Sequence, residues 1–523
     1  MSDDVRSAQT NKDRDRSSVS VSTSTGAEMK ADNKDQVITA RRIYVHGSQS
    51  CNLKLIFAIT ASDSISCTSR STLLKVTTTH HTLIEGATVI VYDDDVDSFK
   101  SLPSTSVLIA GDAITAIFPT GEDQSIPDDA EVIDAMGEIV SPGFVDTHHH
   151  GWQTAYRTIA ADSHIAGFFV PSDVYLGHLI SQYEMLDAGT TSMLEHALAS
   201  FNQETADAYL AGSLETGLRT WFAFTIQDYS RCRKDFPGIL EQINMFHELC
   251  KEPKLANSNV YLGIGYDGWR FDSETTDAVV KLIKSGDPAV VTSHFSGPYY
   301  TMSTLGRLDN LGAFDNSKIP FVLSHASFDV LDETQLMRKK DGTALGVDNP
   351  WSCAAELPDQ ARLYLHRVRV QFFNQVTHNR RLPSTTPMTV EQAFHLMTRS
   401  GGLAFRRDDM GVLRVGAKAD LLVIDGDLYN MLGWSNPIAA IVMHSHPSDI
   451  EAVMVGGKWR KRHGKLTPPD GATSIDQIKA RFLESARKLQ GKILSKPRPS
   501  FEGSFMPGME YEAPYQVSLG KRK

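Results

Sequence analysis

Two blocks of alternating apolar and polar positions lie far apart in the chain. The first contains the segments TLIEGATVIVYDD, SVLIAGDAITAIFP and AEVIDAMGEIVSPG, and the second contains GAKADLLVIDGD and AIVMHSHPSDIEAVMVGGKWRKRHGKL. Alternation with period two, bounded by Gly, Asp and Pro, is typical of short antiparallel strands. We therefore predict two small β blocks, at residues 83–140 and 406–466, that bracket the rest of the molecule.

The region between the β blocks, residues 141–405, alternates short apolar runs with longer helical patterns. The predicted strands are IVSPGFVDTH, TTSMLEH, RTWFAFTI, VYLGIGYD, AVVTSH, PFVLSH and TALGVD. Predicted helices include PSDVYLGHLISQYEMLDAG, SETTDAVVKLIKSG and MTVEQAFHLM, and in the last of these Thr389 and Gln392 have the spacing of a capping box. Strand–helix units repeated over this length predict an α/β fold, a TIM-type (β/α)8 barrel.

The two ends of the chain fit neither pattern. Residues 1–82 are predicted to be a disordered or uncertain extension, because residues 1–40 carry too few apolar side chains to bury a core. Residues 467–523 are predicted to form a C-terminal helix and a tail. In that helix, residues 474–494, four apolar side chains share one side: Ile478, Phe482, Ala486 and Leu489.

Composition narrows the class of partner. The chain has 52 Lys and Arg against 63 Asp and Glu, a net charge of −11 with no basic block, which disfavours nucleic acid and anionic membranes. Five scattered cysteines without a C-x-x-C pair argue against a disulfide framework or a thiolate zinc site. With no apolar leader and no run long enough to cross a bilayer, we expect a cytoplasmic protein that acts on a small molecule, and a homo-oligomer is left open.

Residues that could carry chemistry stand at the ends of the predicted barrel strands. In FVDTHHH, His148 and His150 point to the same side because strand side chains alternate, whereas His149 faces away. Three other predicted strands also end in a residue whose side chain can bind a metal ion: His294, His325 and Asp348. Catalytic groups of such barrels lie at these carboxyl ends, and imidazole with carboxylate is the ligand set of catalytic zinc and its first-row neighbours. Any one of the 18 histidines is more often structural, but the joint pattern predicts a metal site.

Two other motifs are interpreted without a functional role. His444-Ser-His446 repeats the H-x-H spacing, but it lies in the second β block without companion ligands, so we interpret it as structural. GIGYDG, residues 263–268, fits the G-x-G-x-x-G pattern but no helix pattern begins directly after it, so a dinucleotide site is not expected.

The segments IVSPGFVDTHHHGWQTAYR, GVLRVGAKADLLVIDGD and VMVGGKWRKRHGKL resemble the amidohydrolase superfamily, within it the cytosine deaminase, chlorohydrolase and adenosylhomocysteine deaminase branch and its fungal relatives. The resemblance covers roughly residues 83–466 and implies a distorted TIM barrel with a small β-sandwich assembled from both flanks. It implies that the metal ligands are His148, His150, His294 and Asp348. It also implies that Asp348 moves a proton and that His325 contacts the substrate or a bound water. Three residues of the motif receive no role: Asp146, Gln153 and Arg157.

Two departures from the family pattern shape the expected chemistry. The fourth strand, VYLGIGYDGW, has no lysine to bridge two metals, so we expect one divalent ion, zinc first, with iron or manganese as alternatives. Gly297 stands three residues after His294, where deaminases of this branch carry a glutamate that protonates the substrate ring. The expected function is metal-dependent hydrolysis of a non-peptide carbon–nitrogen bond in an amide or cyclic amide. Deamination of an aminoheterocycle, and a catalytically impaired barrel that only binds, are the alternatives.

The interval from His325 to Asp348 is short for a complete barrel. It spans 348 − 325 = 23 positions, with one helix expected at residues 330–340 and one strand at 344–347. One parallel crossover takes at least ~10–12 residues, so two crossovers and an extra strand do not fit. We predict that the seventh strand and its helix are missing.

Overall fold

The computed structural model describes residues 79–159, 174–200, 202–227, 236–269, 274–295, 305–316, 318–325, 343–495, 503–506 and 509–510. The expectations for residues 1–78, Gly297 and the helix at 330–340 lie outside these ranges.

The strands, in chain order, are β1 (His81–Asp93), β2 (Ser98–Ala110), β3 (Ala113–Pro119), β4 (Glu131–Asp134), β5 (Ile139–Pro142), β6 (Phe144–His149), β7 (Thr190–Ala197), β8 (Arg219–Ile226), β9 (Val260–Tyr266), β10 (Val291–Phe295), β11 (Phe321–His325), β12 (Leu421–Ile424), β13 (Ile450–Val455), β14 (Lys458–Arg462), β15 (Lys465–Leu466), β16 (Ser504–Met506) and β17 (Met509–Glu510). The α-helices are α1 (Val174–Asp187), α2 (Gln203–Thr216), α3 (Ile239–Leu249), α4 (Glu274–Ser285), α5 (Leu305–Asn310), α6 (Leu357–His378), α7 (Val390–Met397), α8 (Arg399–Ala404), α9 (Pro437–His444) and α10 (Ile475–Leu494).

One nine-stranded sheet joins the two flanks of the chain. Its order is β15-β14-β13-β12-β5-β1-β2-β3, and β4 pairs with β1 outside this path. The flanks meet where β12 pairs antiparallel with β5. The two β blocks predicted from the alternation therefore form a single hydrogen-bonded sheet, which we call the composite sheet.

One stretch of the second β block is not a strand. AIVMH belongs to α9, which begins where the Asn436 side chain accepts a hydrogen bond from the Ala439 N–H and where Pro437 occupies the first turn. A capping side chain and a proline at this position favour a helix start, and they override the apolar run that followed. The second H-x-H motif therefore lies at a helix end, with His446 beyond it.

Six parallel strands form the barrel sheet, in the order β11-β10-β9-β8-β7-β6. The segment that contains Asp348 lies on the free side of β6. It makes a single β-bridge, between His149 and Asp348, where a regular strand was expected. Three main-chain hydrogen bonds hold it there: Thr147 N–H to Leu345 C=O (3.1 Å), Asp348 N–H to His148 C=O (2.8 Å) and His150 N–H to Asp348 C=O (2.8 Å). Residues 343–347 contain no strand and residues 326–342 lie outside the described ranges, so the missing seventh strand stays a prediction.

The predicted strand IVSPGFVDTH is in fact two strands in two different sheets. Gly143 separates β5 from β6, and a Cβ there would lie 2.2 Å from Thr191 Oγ1, so only glycine fits. The Gly143 N–H bonds to the Asp420 carbonyl of the composite sheet, and the Phe144 N–H bonds to the Gly189 carbonyl just before β7. The chain thus passes from the composite sheet into the barrel at one residue, directly before the histidine run.

Several predicted helices form with the expected ends. α7 has the predicted capping box between Thr389 and Gln392. α10 is capped by Ser474 and buries Ile478, Ala486 and Leu489. None of the helices in the described ranges combines the length and apolar character that crossing a bilayer requires.

Candidate metal centre

The end of β6 and the residue that follows it carry two imidazoles into the mouth of the barrel, each anchored through Nδ1. His148 Nδ1 lies 2.8 Å from Ser324 Oγ, and His150 Nδ1 lies 2.9 Å from the carbonyl oxygen of His196. With Nδ1 engaged, Nε2 is the ring nitrogen left to coordinate. Burial lowers the pKa of both rings, well below the ordinary value for His150, so both are held in the neutral form that binds metals.

His149, between them, faces the opposite side of β6. Its Nε2 lies 2.6 Å from Ser181 Oγ on α1, and the ring is fully buried between the strand and that helix. Burial lowers its pKa to about 3. The alternation of strand side chains thus separates His149 from its two neighbours.

His294, near the end of β10, completes a set of three imidazoles. Its Nε2 lies 3.1 Å from His150 Nε2, and its Nδ1 lies 2.9 Å from Asp267 Oδ2. Asp267 also accepts the main-chain N–H of His294, at 2.8 Å. Burial lowers the pKa of His294, but the charge of Asp267 outweighs it and the net shift is upward. A carboxylate on Nδ1 is the usual support for a metal-ligating histidine.

Asp348 brings a carboxylate to the same place. Its Oδ1 lies 3.4 Å from His148 Nε2 and 3.5 Å from His150 Nε2, while Asn349 donates to its Oδ2 at 2.9 Å. Burial alone would raise the pKa of Asp348, but the neighbouring imidazoles of His148, His150 and His325 hold it far below its usual range. The carboxylate is therefore ionised.

His325, at the end of β11, faces the same group of rings. Its ring stacks on His294 with centroids 5.4 Å apart and meets His148 edge-on at 5.0 Å. Burial first, and the neighbouring histidines second, lower its pKa to about 4, so the ring is neutral at pH 7. His325 and Asp348 both adopt left-handed backbone, with φ of 74° and 69°. Non-glycine residues rarely do so, and such strain concentrates at functional sites.

The three motif residues without a predicted role all connect the β6 end of the barrel to the Asp348 segment. Asp146 accepts main-chain N–H groups from both sides, His148 at 2.9 Å and Val347 at 3.2 Å, and burial raises its pKa to about 8. Gln153 accepts a hydrogen bond from the Trp351 indole at 3.1 Å. Arg157 donates to the Pro350 carbonyl at 3.3 Å. These contacts hold a segment that has little strand pairing of its own.

These residues fit a divalent metal ion. His148 Nε2 is buried and finds no hydrogen-bond partner among the described residues, an arrangement that is costly unless something else fills the position. The 3.1 Å between His150 Nε2 and His294 Nε2 is close to the ~3.3 Å expected for two nitrogens bound to one tetrahedral zinc ion. The structure thus brings His148, His150, His294, His325 and Asp348 together at one end of the barrel.

His196 was missed by the sequence reasoning. It lies near the end of β7, fully buried, and stacks on His294 with ring centroids 4.2 Å apart. Donor atoms of His148, His196 and His294 all lie within 4.8 Å of one another, and a second such group is His148, His325 and Asp348. A signal was available, because the predicted strand TTSMLEH ends in His196 and the strand-end rule applies to it equally.

Comparison with known proteins places the chain in a family. The amidohydrolase family model matches residues 139–302 and 338–460. The 5-methylthioadenosine/S-adenosylhomocysteine deaminase 1 of Syntrophus aciditrophicus is 22% identical over 454 residues, 78% of this chain and 98% of that protein. The 5'-deoxyadenosine deaminase of Methanosarcina barkeri is 25% identical, over 79% of this chain and 98% of that protein. A crystal structure of an adenosine deaminase from Xanthomonas campestris with bound zinc has a TM-score of 0.63 at 18% identity, covering 79% of this chain and 98% of that one.

The family model covers more than half of the chain, and the fold likeness extends over almost the whole of the Xanthomonas protein. The resemblance seen in the sequence is thereby confirmed, as is the prediction of a barrel enzyme of the amidohydrolase type. This chain is a member of the amidohydrolase family.

Proposed function

We propose that the chain hydrolyses a non-peptide carbon–nitrogen bond with water activated at one divalent metal ion, held by His148, His150, His294 and Asp348. The observation that carries this is the convergence of imidazole Nε2 atoms and the Asp348 carboxylate, with each histidine anchored through its other nitrogen. Zinc is the first candidate, since nitrogen and oxygen ligands suit it and the Xanthomonas neighbour contains it.

A bound divalent ion would supply the nucleophile, by lowering the pKa of a water molecule from 15.7 toward about 7. Asp348 is ionised, so its Oδ1 accepts the proton of the attacking water and later returns it to the leaving nitrogen. His325 is neutral at pH 7 and donates one ring N–H to the substrate oxygen or nitrogen on which negative charge develops. Asp146 keeps the Asp348 segment against β6, so that the proton acceptor stays beside the imidazoles.

A single ion is the better interpretation of the ligand set. A lysine-bridged pair needs a lysine on the fourth barrel strand, and β9 has glycines at positions 263 and 265 and no lysine. Those glycines have a packing role instead: a Cβ on Gly263 would lie 2.3 Å from Val290, and one on Gly265 would lie 2.7 Å from His196 Nε2.

Two substrate classes follow from two different observations. Gly297 takes the place of the acid that would protonate a heterocycle, which favours an amide or cyclic amide. The names of the relatives favour the second class, an aminopurine nucleoside that loses its amino group as ammonia.

The test is a substrate panel with the zinc-reconstituted full chain. N-acyl amines and lactams are followed by amine release or ring opening, and 5'-deoxyadenosine and methylthioadenosine by ammonia release. We expect metal-dependent turnover of the amide class, whereas ammonia release from the nucleosides would establish the second class. Asp348→Asn, loaded with the same metal, is the matched control. A chain that binds metal and turns over neither class would support the impaired barrel.

A further inference from the structure

A fourth buried histidine stands among the proposed ligands with no partner of its own. His196 is 0% exposed, and neither of its ring nitrogens has a hydrogen-bond partner within the described part of the chain. Leaving a buried polar group unsatisfied costs about 1–3 kcal/mol. A histidine kept in this state calls for a bound group that its nitrogen can reach.

Two other buried histidines of the same barrel, His149 and His178, each bond one ring nitrogen to a nearby side chain and leave only Nδ1 without a partner among the described residues, whereas His196 leaves both. His149 Nε2 lies 2.6 Å from Ser181 Oγ, and His178 Nε2 lies 2.8 Å from Ser213 Oγ. Both rings lie on the helix side of the strands. His196 differs because its described ring neighbours are His148, His150 and His294, at centroid distances of 5.8, 5.4 and 4.2 Å. Its surroundings are those of a ligand and differ from those of a hydrogen-bonded core histidine.

The backbone around His196 is adapted to hold the ring at this position. On β9, Gly265 leaves room for the imidazole, since a Cβ there would lie 2.7 Å from His196 Nε2. The carbonyl of His196 meanwhile lies 2.9 Å from His150 Nδ1. One residue thus orients a proposed ligand with its main chain while its side chain enters the same site.

We propose that His196 is itself a ligand of the metal ion, which makes the centre a site of four histidines and one carboxylate. The donor atoms of His148, His196 and His294 lie within 4.8 Å of one another, and two nitrogens bound to one ion at about 2.1 Å are at most about 4.2 Å apart, so binding requires these rings to move closer together. With the attacking water, five protein ligands give six donors, a number that suits the iron or manganese alternatives better than zinc, and a fifth protein ligand slows loss of the ion to solvent. This inference rests on the metal centre proposed above.

The decisive experiment replaces the imidazole with a donor that has its own spectrum. The full chain is stripped with a chelator and reloaded with Co(II), as wild type, His196→Cys and His149→Cys. A thiolate bound to cobalt produces a charge-transfer band in the near ultraviolet, and a thiolate outside the coordination sphere does not. We expect the spectrum of His196→Cys to gain this band relative to the wild type. The spectrum of His149→Cys, where the thiol would face α1, should match that of the wild type.

A second variant keeps the proposal testable if the cysteine variant does not fold. His196→Phe fills a similar volume without a donor, and we expect it to lose cobalt to excess chelator at least about tenfold faster than wild type. His178→Phe, a buried ring beyond the cluster, is the matched control and should retain cobalt at the wild-type rate. A His196→Cys protein that holds one cobalt without the band, or a His196→Phe protein with wild-type retention, would overturn the assignment. If the wild-type chain binds no cobalt, the proposed metal centre is wrong, and so is the assignment of His196 as a ligand.

Discussion

The two ends of the barrel strands differ in how their buried polar groups are paired. At the amino end, Arg219 opens β8 and reaches Asp420 of the composite sheet, with Nε–Oδ2 at 2.9 Å and Nη2–Oδ1 at 3.0 Å, and both side chains are buried. Asp420 Oδ1 also accepts the Gly456 N–H, at 2.6 Å. Both charges of this pair are therefore matched. At the carboxyl end, His148 Nε2 and both ring nitrogens of His196 are buried and have no hydrogen-bond partner among the described residues.

This difference separates groups that hold the barrel together from groups that await a ligand. The buried ion pair fixes how the barrel contacts the composite sheet. Its donors and acceptors are already used, so it is not expected to bind a ligand. Buried ring nitrogens without hydrogen-bond partners and residues with strained backbone destabilise the fold when no ligand is bound. They are expected where ligand binding compensates for that loss of stability. Variants at the two ends should therefore fail in different assays.

The largest expected effect is loss of the metal from the carboxyl end. We expect His148→Ala or His150→Ala to abolish metal binding, because each removes a nitrogen aimed at the centre. His149→Ala should keep metal occupancy near the wild-type value, since its ring bonds to Ser181 on the other side of β6. Elemental analysis of purified proteins measures the ratio of metal to chain. Metal loss in His149→Ala together with retention in His148→Ala would contradict the assigned ligand set.

The next effect separates proton transfer from folding. Asp348→Asn should lower the turnover rate by orders of magnitude with little change in unfolding free energy, because an amide can still coordinate weakly but cannot shuttle a proton. Asp146→Asn should be milder, since it loses one of two main-chain contacts, to His148 or Val347. Rates of the metal-loaded proteins and their urea unfolding curves make the comparison. An Asp348→Asn enzyme within a few-fold of wild type would exclude Asp348 as the proton acceptor.

At the amino end the expected loss is of stability. Arg219→Met leaves the Asp420 carboxylate buried without its cation, which should destabilise the chain by about 3–5 kcal/mol. Lys251→Met is the control, since its pair with Glu248 is exposed and should contribute below about 1 kcal/mol. Urea unfolding of the metal-free proteins measures both. An equal decrease in the free energy of unfolding in the two variants would show that burial does not make the Arg219–Asp420 pair more important for stability.

The sequence predicted regular elements better than the geometry of the site. The two β blocks, apart from α9, and helices α7 and α10 follow from alternation, apolar faces and caps, which are local signals, whereas the assembly of both flanks was implied only by the family resemblance. The break at Gly143 could not be predicted, because it depends on Thr191, which is distant in sequence. The Asp348 segment was expected as a strand, yet a single bridge and contacts from Asp146 hold it, and such tertiary contacts leave no periodic signal.

The smallest expected effect tests whether an unfavourable charge outside the barrel mouth affects only stability. Glu138, half-buried at the start of β5, has its pKa raised to about 7, first by burial and then by the negative charges of Glu451, Asp425 and Asp134. In the unfolded chain the same group ionises near its ordinary pKa of 4.5. Between these values the folded state binds more protons than the unfolded state, so the stability of the wild type falls as pH rises toward 7 and beyond. Glu138→Gln removes this dependence, and its stability relative to wild type should increase from pH 5 to pH 8 by less than about 1 kcal/mol, given solvent screening. Urea unfolding across that pH range measures this difference in stability. Glu122→Gln, at an exposed position, is the control for the change in net charge. A Glu138→Gln protein that loses stability relative to wild type as pH rises would show that the Glu138 carboxylate is favourably paired.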